Sequence, residues 1–215
     1  GYSIRMTPNT TNDALVDFCA RVSGAPFIAV DTEFMRETTY WPKLCLIQAA
    51  TPEHEAIIDP LAEGLDLAPF LDILRDPAIV KVFHACRPDV EICVKLGVMP
   101  RPMFDTQVAA MAAGFGDQVS YDSIVRQMLK VDLDKGSRFT DWSRRPLSEA
   151  QKDYALADVT HLRVIYEWLA AQLAKNGRGP WVEEELGILT DPATYTIHPD
   201  DAWLRIKTRT SSARF

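Results

Sequence analysis

The sequence predicts an α/β domain built on a mixed sheet, in which a three-strand meander is followed by parallel strands and the whole is flanked by helices. Three observations carry this. Residues 27–59 hold three short apolar runs joined by brief links, strand and helix patterns alternate from Leu67 onward, and only helical patterns remain beyond Gly116. Strands that alternate with helices are joined by crossovers, which pair them in parallel and lay the helices on the sheet faces.

The elements follow in order. After a polar lead from Thr7 to Thr11, Asn12-Asp13 opens an amphipathic helix with Leu15, Val16, Phe18, Cys19 and Val22 apolar, ending near Gly24. Phe27-Ile28-Ala29-Val30 reads as a short strand buried on both faces, and its apolar run breaks at Asp31. Met35 to Pro42 is a polar and aromatic link. Leu44 to Ala50 and Ala56 to Asp59 are hairpin partners across Thr51-Pro52-Glu53. A helix over Leu67 to Leu74 precedes the strand Ile79 to Phe83. A helix from about Pro88 to Leu96, the strand Met103 to Asp105 and a helix over Thr106 to Ala113 follow. Helices are then expected at Ser123 to Leu129, Ser148 to Ala174 and Trp181 to Leu189, with Ser148 and Gln151 forming a capping box for the long one. Thr190 to Phe215 shows little periodicity and reads as a strap or linker.

Composition narrows the class. A chain of 215 residues with 47% hydrophobic and 25% charged residues suits one soluble globular domain. No apolar run reaches the roughly 20 residues of a membrane span, so a cytoplasmic protein with no membrane association is expected. The start, Gly1-Tyr2-Ser3, has neither Met nor a signal-peptide pattern and reads as a trimmed N-terminus. Cys19, Cys45, Cys86 and Cys93 stand singly among apolar residues, as buried free thiols do. The four histidines have no zinc spacing, so any bound metal would be held by carboxylates, which select Mg²⁺ or Mn²⁺. A net charge of -7 argues mildly against sequence-independent nucleic-acid binding, although acids that gather cations become attractive to phosphate.

Asp31 and Glu33 lie one residue apart on a strand and therefore point to the same side. Like charges placed so closely raise each other's pKa unless a cation separates them. A divalent metal is the simplest candidate, and a solvated strand end is the alternative. Asp89 opens a helix just after a strand, at the edge where open α/β sheets bind ligands, or else complements the helix dipole. Tyr154 and Asp158, at i and i+4, share one face of the long helix, with a half-exposed tyrosine and a solvated aspartate as the alternative.

Together these residues resemble the DEDD superfamily of 3′-to-5′ exonucleases in its tyrosine-bearing branch. Val82-Phe83-His84-Ala85, Phe104-Asp105-Thr106-Gln107 and Asp141-Trp142-Ser143-Arg144-Arg145-Pro146-Leu147-Ser148, before Gln151-x-x-Tyr154-Ala155, closely resemble the ribonuclease D family. The likeness runs from about Phe27 to Trp168 and continues weakly through Trp181-Val182-Glu183-Glu184-Glu185. It implies a ribonuclease H-like fold, with a 3′-to-5′ exonuclease domain over residues 1–180 and its core at about 27–169. Residues 181–215 would be a C-terminal helix and a strap or linker, stopping before the HRDC domains that such proteins generally carry.

The resemblance further implies hydrolysis of RNA from its 3′ end to nucleoside 5′-monophosphates, in maturation of tRNA precursors or other stable RNA. Asp31, Glu33, Asp89 and Asp158 would hold two Mg²⁺ or Mn²⁺ ions, and Tyr154 would align the attacking water. For substrate contacts, Phe34 and Met35 are candidates to stack on or wedge beside the terminal base, Phe34 having ordinary core as its alternative. His84 and Gln107 are candidates for the terminal ribose or phosphate, or for structural hydrogen bonds. Lys135 and Arg138 lead the most basic stretch, Arg126 to Arg145, which either grips the RNA backbone or is a solvated loop. Asp105 reads as a helix N-cap or a support for the site. A DNA exonuclease and a catalytically silent nucleic-acid-binding module are the competing readings.

Overall fold

A computed structural model describes residues 6–36 and 42–195. Its centre is a five-stranded sheet in the order β3-β2-β1-β4-β5. The strands are β1 (Phe27–Met35), β2 (Lys43–Ala50), β3 (Glu55–Ile58), β4 (Val80–Phe83) and β5 (Met103–Asp105). The meander pairs antiparallel and β4 and β5 join in parallel, so the mixed α/β sheet is as expected. Helices are α1 (Asn12–Val22), α2 (Ala68–Arg75), α3 (Arg87–Lys95), α4 (Thr106–Ala112), α5 (Tyr121–Leu129), α6 (Glu149–Asn176), α7 (Gly179–Leu189) and the short α8 (Pro192–Tyr195).

Two features differ from the sequence reading in extent. The apolar run ends at Val30, and β1 carries both acids, as their expected place on one strand requires, but continues beyond them to Met35. Antiparallel partners from β2 carry it there, ending at Met35 opposite Lys43, whereas parallel pairing with β4 stops at Ala29 opposite Val82. The acids thus stand on a continuous strand beside the place where β4 parts from it. The second difference is that α8 lies where only a strap was expected, and α7 buries Val182 and Leu186 in the main core together with Tyr195. The remainder of the strap or linker, 196–215, lies outside the described residues, as does most of the Met35 to Pro42 link.

α6 is the longest element, at 28 residues. Its start is fixed by the expected capping box. The Ser148 hydroxyl accepts the Gln151 N–H, and the Gln151 side-chain carbonyl accepts the Ser148 N–H. Its end is Gly177, in the left-handed conformation (φ +72°) that glycine adopts without a steric penalty. Ala155, Val159, Leu162, Ile165, Leu169 and Leu173 form one buried stripe at intervals of three and four. Ala155, Val159 and Leu162 lie on the sheet against Leu46, Ile57, Phe27, Ala29 and Val82. Tyr154 and Asp158 run along the flank of that stripe.

The segment leading into α6 is clamped by Arg145. Its guanidinium donates to both Asp59 carboxylate oxygens, at 2.8 and 2.9 Å, and to the carbonyls of Cys45 and Trp142 at 2.6 and 2.5 Å. Asp59 is buried, so removing the cation strands a carboxylate in the core. Arg145→Ala should destabilise the fold by on the order of 3 kcal/mol, discounting for the partial exposure of the guanidinium. Urea unfolding measures this, and a loss under 1 kcal/mol would show that water replaces the clamp.

Candidate active site

β1 alternates its side chains across the sheet, and the consequence is a division of the acids. Asp31 and Glu33 face α6, where Asp158 descends from the flank of the buried stripe. One oxygen from each of these three carboxylates lies within 4.8 Å of the others. Thr32, between them, points the other way and donates to Asp89 Oδ1 at 2.6 Å. Asp89 is held there by the turn from β4 into α3, and it does not complete a fourfold cluster at the same spacing.

That turn is pinned by Asp105, which accepts the backbone N–H groups of Ala85 and Cys86 at 3.1 and 2.9 Å. Ala85 sits at φ +54°, a conformation costing an L-residue about 1 kcal/mol or more. Asp105 also caps α4 by accepting the Gln107 N–H at 2.8 Å. It is the N-cap expected, with the added task of holding the loop before Asp89.

The charges are mutually unfavourable. Among the described residues none of the four acids forms a salt bridge with Lys or Arg. Burial raises the Asp31 carboxyl to about 6, against hydrogen bonds from Asp158 and the Thr32 backbone. Burial and the neighbouring Asp31 raise Glu33 to about 8. Burial, then Asp31, pushes both Asp89 and Asp158 well above the usual carboxylate range. Asp158 stands against both Asp31 and Glu33, and carboxyl groups gathered this closely must share either a proton or a cation. An all-oxygen donor set that must otherwise hold protons fits a hard divalent cation. Gln48, fully buried opposite Asp31 on β2, donates to Glu33 Oε1 at 3.0 Å and fixes that carboxylate's position.

A cavity of about 460 Å³ opens over this cluster. Asp31, Glu33, Tyr154 and Asp158 line it, together with Phe34, His84, Gln107, Lys135 and Arg138 of the expected substrate contacts. Met35 is the exception, because it packs on the cluster containing Cys45, Leu46 and Trp142. His84 borders the cavity, but both ring nitrogens are engaged, Nδ1 with Thr106 Oγ1 at 2.7 Å and Nε2 with the Val119 carbonyl at 2.8 Å. Gln107 Nε2 donates to the same carbonyl at 3.2 Å. Of the alternatives for these two residues, the structural hydrogen bond is the one present.

Three of the six cations in the basic stretch are neutralised. Lys135 bonds Asp122 at 2.6 Å, Arg126 pairs with Asp122 and Asp132, and Arg145 is the clamp on Asp59. Tyr154 lies half-buried beside Trp142, ring centroids 5.9 Å apart, and burial with Asp158 and Glu33 raises its hydroxyl above the ordinary tyrosine range. It therefore keeps its proton and acts as a hydrogen-bond donor.

Thr32, Gln48, Tyr121 and Phe139 were not among the expected site residues. Gln48 left a signal, since a glutamine inside the apolar run 44–50 requires a buried partner. Tyr121, whose hydroxyl donates to the Ala157 carbonyl at 2.7 Å, follows a Ser120 N-cap that places α5 two residues earlier than its apolar pattern does. Nothing in the local sequence marks Phe139.

The family model for 3′-5′ exonuclease matches residues 6–174. This chain belongs to the 3′-5′ exonuclease family. The family is divalent-metal dependent, in keeping with the acid cluster. Among curated relatives, this chain is 56% identical over 210 residues to ribonuclease D of Jannaschia sp. (strain CCS1), covering 95% of this chain and 54% of the relative. It is 54% identical over 207 residues to ribonuclease D of Granulibacter bethesdensis, covering 96% and 52%. The crystal structure of Escherichia coli ribonuclease D, an exoribonuclease involved in structured RNA processing, superposes with a TM-score of 0.88 at 39% identity, over 95% of this chain and 55% of that one. The chain thus spans about half the length of the relatives it matches. Among the described residues no helix is long and apolar enough to cross a membrane.

Proposed function

We propose that this chain hydrolyses single-stranded RNA from its 3′ end, releasing nucleoside 5′-monophosphates in the maturation of tRNA precursors or other structured RNA. The observation that carries the reading is the convergence of three unpaired carboxylates, from β1 and α6, on one cavity. Likeness to ribonuclease D over 95% of the chain supports RNA as substrate. Four cysteines without disulfides suit the cytoplasm.

Asp31, Glu33, Asp89 and Asp158 would hold two divalent cations, Mg²⁺ or Mn²⁺. When bound, the pair supplies water activation and neutralises charge on the phosphate and the leaving 3′ oxygen. The chain's own residues do the rest. Gln48 and Thr32 fix the orientations of Glu33 and Asp89, so the carboxylates need not reorganise. Tyr154, protonated and packed on Trp142, directs its O–H at the attacking water and sets its line of approach. Phe34 lines the cavity one residue beyond Glu33 and stacks on the terminal base.

Incubating the chain with matched RNA and DNA oligonucleotides and Mg²⁺ or Mn²⁺ tests the proposal. RNA should yield 5′-monophosphates one at a time from the 3′ end, and EDTA should stop it. Equal or faster cleavage of the DNA would transfer the activity to DNA, and no cleavage with metal bound would leave a binding module. Tyr154→Phe should lower turnover by about 100-fold with metal affinity retained, and unchanged turnover would remove Tyr154 from the mechanism.

A further inference from the structure

Phe139 is the large aromatic at the cavity that is most exposed among the described residues. It is 90% exposed, more than any other large apolar side chain among the described residues, yet it borders the same cavity as Asp31, Glu33 and Tyr154. The Arg138 guanidinium lies over its ring, 5.2 Å from the centroid. Phe34 on β1 has the same kind of partner, with Arg36 at 5.4 Å from its ring. The cavity is therefore bordered by two phenyl rings, each accompanied by an arginine.

The turn that carries Phe139 is well tied. The Arg138 N–H donates to the Lys135 carbonyl at 3.1 Å, and the Thr140 hydroxyl donates to the carbonyl of buried Ser137 at 2.7 Å. Gln151 Nε2, from the first turn of α6, then donates to Thr140 Oγ1 at 3.0 Å. The backbone on both sides of Phe139 is thus anchored while its ring projects. Among the described residues Arg138 forms no salt bridge, its charge reaching Glu33 and Tyr154 only through space, whereas Lys135 and Arg126 are bound to Asp122.

A fixed, exposed aromatic face with an unpaired guanidinium suits a nucleobase joined to a phosphate. Bases stack on aromatic rings with little regard to sequence, and guanidinium binds phosphate through paired N–H donors. We propose that Phe139 is a stacking platform for one nucleobase of the RNA 3′ segment and that Arg138 takes the phosphate attached to it. The ligand class rests on the nuclease reading above, but the contact itself is independent of cleavage.

Binding therefore tests it. A 5′-fluorescein oligoribonucleotide with a non-hydrolysable 3′-terminal linkage is titrated by fluorescence anisotropy, alongside versions abasic at the first, second or third position from the 3′ end. Phe139→Ala should weaken binding of the full oligonucleotide about tenfold, and Phe139→Tyr should retain it. The Phe139→Ala loss should vanish for the one abasic version that lacks the stacked base. Unchanged binding of Phe139→Ala, or a loss of the same size in every abasic version, overturns the platform. Failure of the nuclease reading shows separately, as absence of cleavage of an ordinary oligonucleotide by the unsubstituted protein.

Discussion

Asp31→Asn should reduce hydrolysis of a 3′-hydroxyl oligoribonucleotide by about 10³-fold or more, because each 1.36 kcal/mol withdrawn from the transition state costs tenfold and a lost cation contact withdraws several. The substitution keeps the volume of the side chain, so no cavity opens in β1. It also removes one of the like charges that raise Glu33, Asp89 and Asp158. The variant should consequently melt no lower than the unsubstituted chain in EDTA at pH 8, while failing to gain stability from Mg²⁺. Opposite signs for activity and metal-free stability distinguish a residue that holds cations from one that holds the fold. Turnover within tenfold of the unsubstituted chain would remove Asp31 from the mechanism.

The second large effect is on stability against pH. The native chain holds protons on Asp31 up to about 6 and on Glu33 up to about 8, and on Asp89 and Asp158 well above the carboxylate range. The unfolded chain releases them near pH 4. Between these values the folded state binds more protons than the unfolded one, so stability falls as pH rises. The metal-free melting temperature should decline from about pH 4 through pH 8, opposite to the trend for salt-bridged carboxylates. Saturating Mg²⁺ should flatten the decline by stabilising the ionised cluster, and its effect should grow with pH. Calorimetric scans in EDTA and in Mg²⁺ across that range provide the measurement. A melting temperature that is level or rises in EDTA would mean the acids are solvated rather than crowded.

The parts of this molecule legible in the sequence are those set by local periodicity. Alternation on a strand sends Asp31 and Glu33 to one side, and i,i+4 spacing sends Tyr154 and Asp158 to one helix face. The Ser148-Gln151 box marks the start of α6 to within a residue. Long-range pairing was less legible. The apolar run ends at Val30, but backbone bonds from β2 extend the strand to Met35. A charge-rich stretch such as 126–145 gives no sign of its partners, and only the fold shows Arg145 spent on Asp59 and Lys135 on Asp122. His84 is similar, since its ring nitrogens are claimed by Thr106 and Val119, which no spacing rule relates to it.

The tripeptide Asp31-Thr32-Glu33 works on both surfaces of the sheet at once, with its outer residues toward α6 and its middle one gripping Asp89. Sliding β1 by one position against its neighbours would exchange these assignments, turning Thr32 toward Asp158 and the two acids into the opposite layer. The slipped strand would separate Asp31 and Glu33 from Asp158, so the three-carboxylate cluster exists only in the native register. The spacing of the three carboxylates is therefore a local readout of how the central strand is threaded.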